Sequence, residues 1–127
     1  MEILIKRLDN RAKLPVYNRE ASSGIDLFAL EEVVVPANDK LIVATGIALA
    51  LPVGYVGLIC NQYQDVIKGK AELITAIIDS GFRDEIVIEL VNKNCEPQSI
   101  KAGEKIAQLF LQQAERPLLI EAEDLES

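Results

Sequence analysis

The sequence predicts an all-β domain, a sandwich or jelly roll, and three observations carry that expectation. Short apolar or alternating runs recur at a spacing of about 8–12 residues. Turn-forming residues separate them. Helical patterning is confined to Asn61–Lys70, enough for one turn or two. The expected strands, in order, are Ile3–Lys6, Ile25–Ala29, Glu32–Val35, Lys40–Val43, Ile47–Leu51, Tyr55–Cys60, Glu72–Ile78, Glu85–Val91, Gln98–Lys101, Lys105–Leu111 and Leu118–Glu121. Gly24, Pro36–Asn38, Thr45–Gly46, Pro52–Gly54, Ser80–Gly81, Asn92–Pro97 and Ala102–Gly103 punctuate them, each rich in the residues that reverse a chain. In Glu85–Leu90 the apolar residues fall on both faces between charged flanks, the pattern of a strand covered on two sides. So short a domain covers such a strand by packing against other copies of itself, and a closed cyclic assembly is the simplest arrangement.

The chain has 127 residues and is half hydrophobic, one domain's worth with a core of its own. No linker, repeat or low-complexity stretch divides it. Cys60 and Cys95 are too few for a disulfide framework and lack metal-site spacing; both read as free thiols in a reducing compartment. Met1–Leu8 alternates apolar and charged residues, unlike a signal peptide. The longest apolar run, Leu41–Leu51, is broken by Thr45 and Gly46 and falls short of the roughly 18 residues of a membrane span. A soluble cytoplasmic protein is expected. The net charge of −7 opposes non-specific nucleic-acid binding, which needs basic surface to displace counterions. With no histidine, acid–base chemistry falls to carboxylates, lysines or water.

Four segments, in order, carry a pattern. Ser22-Ser23-Gly24-Ile25-Asp26-Leu27-Phe28-Ala29 is close to A-G-x-D-L-x-A. The position of P-R-S-[SG]-L-A-x-K-G is taken by Asn61–Gly69, of which Lys68-Gly69 survives. Ile77-Ile78-Asp79-Ser80-Gly81-Phe82-Arg83 follows I-D-x-x-[YF]-x-G up to its final glycine. Gly103-Glu104-Lys105-Ile106-Ala107-Gln108-Leu109 matches G-x-[KR]-[IF]-A-Q-[LM]. Together with Ile5–Leu8, Ala12–Pro15, Val34–Pro36 and Thr45–Tyr55, these segments make nearly the whole chain resemble a subunit of the trimeric dUTP pyrophosphatase (dUTPase) family. The resemblance implies a distorted jelly-roll sandwich or barrel, one domain over residues 1–127, and a homotrimer with sites at subunit interfaces.

It also implies roles. Asp79, at a strand end, is the carboxylate that takes a proton from the water attacking a phosphorus of dUTP, giving dUMP and pyrophosphate. Phe82 stands for the aromatic against the deoxyribose, with Ile78, Lys68 and Gly69 also against substrate. Asp26 and Gln108 hold water around a magnesium ion, a cation that keeps most of its waters. Each residue also has a plainer assignment: a turn aspartate, core apolar residues, a strand amide satisfied by backbone.

The departures concentrate on phosphate and base recognition. Gln62 replaces the arginine of the second pattern, Tyr63 the small hydroxyl, and Asp65 adds a negative charge; Ala76 and Asp84 replace the glycines that open and close the third. A carboxylate about 4 Å from a phosphate costs on the order of 1 to 4 kcal/mol, depending on the local dielectric. Residues from about 115 onward form an acidic tail, with no match to the glycine-rich arm that closes over the nucleotide. On this balance the chain is expected to be a trimeric scaffold or protein-binding module with impaired or absent catalysis. The alternative is an active magnesium-dependent dUTP hydrolase. A second alternative is a nucleotide enzyme like dCTP deaminase, with Glu89 as acid–base.

Overall fold

The computed structural model describes residues 1–18, 23–60 and 71–126. Among them the chain is all strand and turn: β1 (Leu4–Arg7), β2 (Val16–Tyr17), β3 (Ile25–Phe28), β4 (Val33–Val35), β5 (Asp39–Ala44), β6 (Ile47–Ala50), β7 (Tyr55–Cys60), β8 (Glu72–Leu73), β9 (Ala76–Asp79), β10 (Val87–Asn92), β11 (Gln98–Ile100) and β12 (Lys105–Gln113). All pairings are antiparallel, and most join strands distant in sequence. A five-stranded sheet runs β2-β3-β12-β7-β9, a three-stranded sheet β5-β10-β8, and two ribbons pair β1 with β6 and β4 with β11.

The sheets enclose one apolar cluster, in which Leu27, Val35, Val43, Ile47, Ile59 and Leu109 are fully buried. β12 is its spine. It pairs with β3 on one side and β7 on the other, and it presents Leu109 to the core. Leu109 pairs with Ile59, and its side chain leans over the diagonal position, which Gly57 on β7 leaves empty: a Cβ there would lie 2.7 Å from Leu109 Cδ1 and 3.1 Å from Leu51 Cδ1.

The chain entering β10 is tied to the core through the turn after β5. Thr45 is buried and its hydroxyl donates to the carbonyl of Ile86. The backbone N–H of Ile86 donates to the Ile47 carbonyl at 2.9 Å. A second polar tie is Asn92, 1% exposed at the end of β10. Its amide nitrogen donates to the carbonyls of Val35 (3.2 Å) and Glu96 (2.8 Å), and its oxygen accepts from the backbone N–H of Asn94 (3.0 Å). One side chain so fastens the turn leading to β11 against β4. A buried amide with every group paired is well placed; the same group half-paired is costly.

Four sequence expectations change. β2 went unrecognised, since two residues give no periodicity to detect. The run Glu72–Ile78 is two strands, β8 and β9, in different sheets. Leu118–Glu121 forms no strand, and Leu118, Leu119 and Ile120 are exposed: alternation marks a segment fit to pair, but a strand forms only beside a neighbour. In the Glu85–Val91 run only one face is buried within the chain. Ile86, Ile88 and Leu90 point inward, while Val87 is 45% exposed and Glu89 meets Lys40 at 3.7 Å. Asn61–Lys70 lies outside the described residues.

Replacing Asn92 by Ala should lower stability by about 1–3 kcal/mol, because it strands the buried Val35 carbonyl and two part-buried backbone groups. Urea unfolding checks it: the midpoint should fall with the slope unchanged, and an unaltered midpoint would remove Asn92 from this role.

Candidate active site

The outer face of the five-stranded sheet carries the chemistry-bearing residues. Directly opposed positions form a row across four strands: Val16 on β2, Asp26 on β3, Gln108 on β12 and Cys60 on β7. Asp26 is buried to 4% exposure and Gln108 to 7%. The Gln108 Nε2 donates to Asp26 Oδ1 at 3.2 Å. The glycine preceding β3 makes room for this contact: a Cβ on Gly24 would lie 2.9 Å from both Gln108 Nε2 and Phe110 Cζ. The pair expected from sequence to act together is thus together, and Gly24 is the reason it fits.

A third group joins them that the sequence reading passed over. Lys105 Nζ lies 3.2 Å from Asp26 Oδ1, so the buried carboxylate has a cation beside it. Lys105 is the [KR] of its motif, and that was the available signal. What the signal lacked was direction, because Lys105 and Gln108 are three residues apart and a regular strand would turn them to opposite faces. One further cation stands nearby: Lys13 Nζ lies 4.0 Å from the centroid of the Phe28 ring, and Phe28 is the strand partner of Lys105.

Asp79 sits at the end of β9, exposed, on this same outer face, opposite Val56 of β7. Its carbonyl accepts from the backbone N–H of Phe82 at 3.1 Å, closing the turn Asp79-Ser80-Gly81-Phe82, and the Arg83 guanidinium donates to the Ser80 and Phe82 carbonyls. Phe82 is half-buried against the core. Ile78 pairs with Gly57 and also packs on the core, on the face away from Asp79. Lys68 and Gly69 lie outside the described residues, as do Gln62, Tyr63 and Asp65. Burial pushes the Cys60 thiol pKa up, which keeps it protonated and a poor nucleophile.

Within one chain these residues form two groups. Asp79 pairs with Val56, four residues along β7 from the partner of Gln108. That is roughly 13 Å along the strands, and Asp26 lies three strand spacings, roughly 14 Å, across the sheet from β9. Glu89 belongs to neither group; it stands on β10 in the other sheet, beside Lys40. An apolar cavity of about 310 Å³ lined by Ile3, Ile5, Tyr17, Leu49, Leu109 and Leu111 holds neither Asp26 nor Asp79.

The dUTPase family model matches residues 10–127. The chain belongs to the dUTPase family. It is 35% identical to a deoxyuridine 5'-triphosphate nucleotidohydrolase of Clostridium kluyveri, over 98% of this chain and 89% of the relative. It is 34% identical to that of Paramecium bursaria Chlorella virus 1, over 96% and 89%. Among solved structures, the dUTPase of phage phi11 of S. aureus, studied for the coordination of a structural Mg(II) ion, aligns over the full length of both chains with a TM-score of 0.92 at 24% identity. That of Staphylococcus bacteriophage 80alpha, described among phage dUTPases that control transfer of virulence genes, aligns over 99% of both at 0.90 and 25%. The all-β dUTPase fold expected from the sequence is the fold observed.

Replacing Gly24 by Ala should displace the Gln108 amide and the Phe110 ring, with a loss of about 1–3 kcal/mol from overpacking. Thermal unfolding beside a Gln108→Ala control checks it; a Gly24→Ala protein as stable as the original would show that the cradle is not tight.

Proposed function

We propose that this chain is a dUTP hydrolase that splits dUTP to dUMP and pyrophosphate, acting as a homotrimer with dUTP as its substrate, in the cytoplasm. The single observation that carries the proposal is the exposed carboxylate of Asp79 at a strand end. It stands in the motif position of the family's water-activating base, in a chain about 35% identical to proteins named as nucleotidohydrolases. In the reaction a water oxygen bonds to the phosphorus nearest the sugar as the bond to the bridging oxygen breaks. Pyrophosphate leaves, and Asp79 takes the proton that the water loses. A positioned base of this kind contributes about 10²–10⁴ in rate. Phe82, in the turn that Asp79 opens, is the aromatic for the deoxyribose, Ile78 seats the end of β9 on the core behind Asp79, and the motif match assigns Lys68 and Gly69 to the substrate.

The residues present suit magnesium held through water. Among the described residues no group of three or more carboxylates, cysteines or histidines converges into a direct cage. One buried carboxylate and one amide on a single row, in a cradle that a Cβ would fill, fit an ion that keeps its hydration shell. Asp26 and Gln108 would hold it there. When bound, the ion neutralises charge on the triphosphate. Asp26 and Asp79 lie too far apart in one chain to serve one triphosphate, which supports a site shared between copies. That arrangement also accounts for exposed apolar positions such as Ile77 and Ile42.

A non-catalytic trimeric module that binds a protein partner is the second reading. The loss of arginine and small hydroxyl at Gln62 and Tyr63, and the charge of Asp65, favour it, and the 80alpha dUTPase is described in a control role.

Pyrophosphate release from dUTP with magnesium separates the two. The original chain should turn over, and Asp79→Asn should lose at least about 10²-fold. Equal turnover by both would remove Asp79 as the base; no turnover, with a trimer confirmed by mass, would sink the hydrolase and leave the module.

A further inference from the structure

The β12–β3 pairing shifts register between Lys105 and Ala107: Lys105 opposes Phe28, yet Ala107 already opposes Leu27. One extra residue, Ile106, is inserted, which is a β-bulge. Its effect on side-chain direction is specific. Beyond the bulge the alternation resets, and Lys105 comes to the face that carries Gln108. Both then reach the same atom, Asp26 Oδ1, each at 3.2 Å. Bulges re-aim side chains, and here the re-aimed group is a cation brought to a carboxylate that is nearly inaccessible to water. The two ends of the ion pair differ: Asp26 is 5% exposed in its side chain and Lys105 43%. The carboxylate is fixed, while the ammonium sits on a flexible stem with a way out to solvent.

We propose that Lys105 is a positioning residue that acts as an exchangeable counter-ion. In the empty site it neutralises Asp26 and holds its rotamer; when a hydrated divalent cation arrives at Asp26, the ammonium swings outward and the carboxylate passes to the cation's water shell. Lys105 therefore sets how weakly the site takes a divalent ion in the absence of nucleotide. The idea rests on the hydrolase reading only in taking Asp26 as an acceptor for a metal's water, and it does not require turnover.

The test is Mn²⁺ binding to the full chain without nucleotide, followed by electron paramagnetic resonance of the free ion. Lys105→Met keeps the aliphatic stem and removes the charge. A unit charge about 6 Å from a divalent ion weakens its binding by at least about tenfold even at the dielectric of water, so Lys105→Met should bind Mn²⁺ at least about tenfold more tightly. Lys105→Arg should bind as the original does, and Asp26→Asn should lose the site. A purely structural role for Lys105 would move affinity the other way, since a loosened site binds less well. Should Lys105→Met fold poorly by circular dichroism, Lys105→Gln serves the same comparison. Unchanged or weaker binding in the charge-removed variant overturns the proposal, as does binding indifferent to Asp26→Asn or no binding in any variant. If dUTP is not hydrolysed but removal of the charge tightens Mn²⁺, the hydrolase reading falls and the counter-ion role stands. If dUTP is hydrolysed and the affinity does not move, the counter-ion role falls alone.

Discussion

Both faces of β12 press against positions that hold no side chain. Inward, Leu109 fills the space left by Gly57; outward, Gln108 and Phe110 lie over Gly24. Two glycines on the two flanking segments thus let one strand sit between β3 and β7 with large groups on each side. Much else follows. The inward contact seats the spine of the core, where packing is dense enough that a single methyl group is felt. The outward contact sets the amide of Gln108 on Asp26, and the bulge one step earlier brings Lys105 to the same oxygen. Core and candidate site are therefore built from alternate residues of one strand.

The same sheet also separates the chemistry. Asp79 closes β9 at one edge, and Asp26 lies on β3 near the other. A rigid sheet cannot fold these together, so the two carboxylates remain apart in the single chain. The apolar positions left outside, Ile42 and Val87 on the three-stranded sheet and Leu118 and Leu119 beyond β12, lie where a copy can cover them. Closing into a ring, as the proposed homotrimer requires, would cover such positions.

Most of this was legible in the residues, for physical reasons that differ by element. β7 appears in the sequence with its observed bounds because Tyr55–Cys60 is an apolar run set off by Pro52–Gly54. The Asp26–Gln108 partnership was legible through motif resemblance, and Gly24 within it through the same motif. Lys105 was hidden because a bulge carries no periodic mark: strict alternation turns it away from Gln108. Ile78 neighbours Asp79 in sequence, and its side chain faces Gly57 and the core because adjacent residues on a strand turn to opposite faces. The break between β8 and β9 escaped notice because Ile74 and Thr75 are themselves good strand formers.

The division of the site between copies is the central claim, and complementation measures it most directly. Asp79→Asn and Asp26→Asn subunits, each inactive alone, are unfolded together, refolded as mixed trimers and assayed for pyrophosphate release from dUTP. If each site takes Asp79 from one copy and Asp26 from another, about a quarter of the sites in a random mixture regain both carboxylates, and activity returns to a corresponding fraction of the original. If both come from the same copy, every site lacks one of them, and the mixture stays as inactive as its parts.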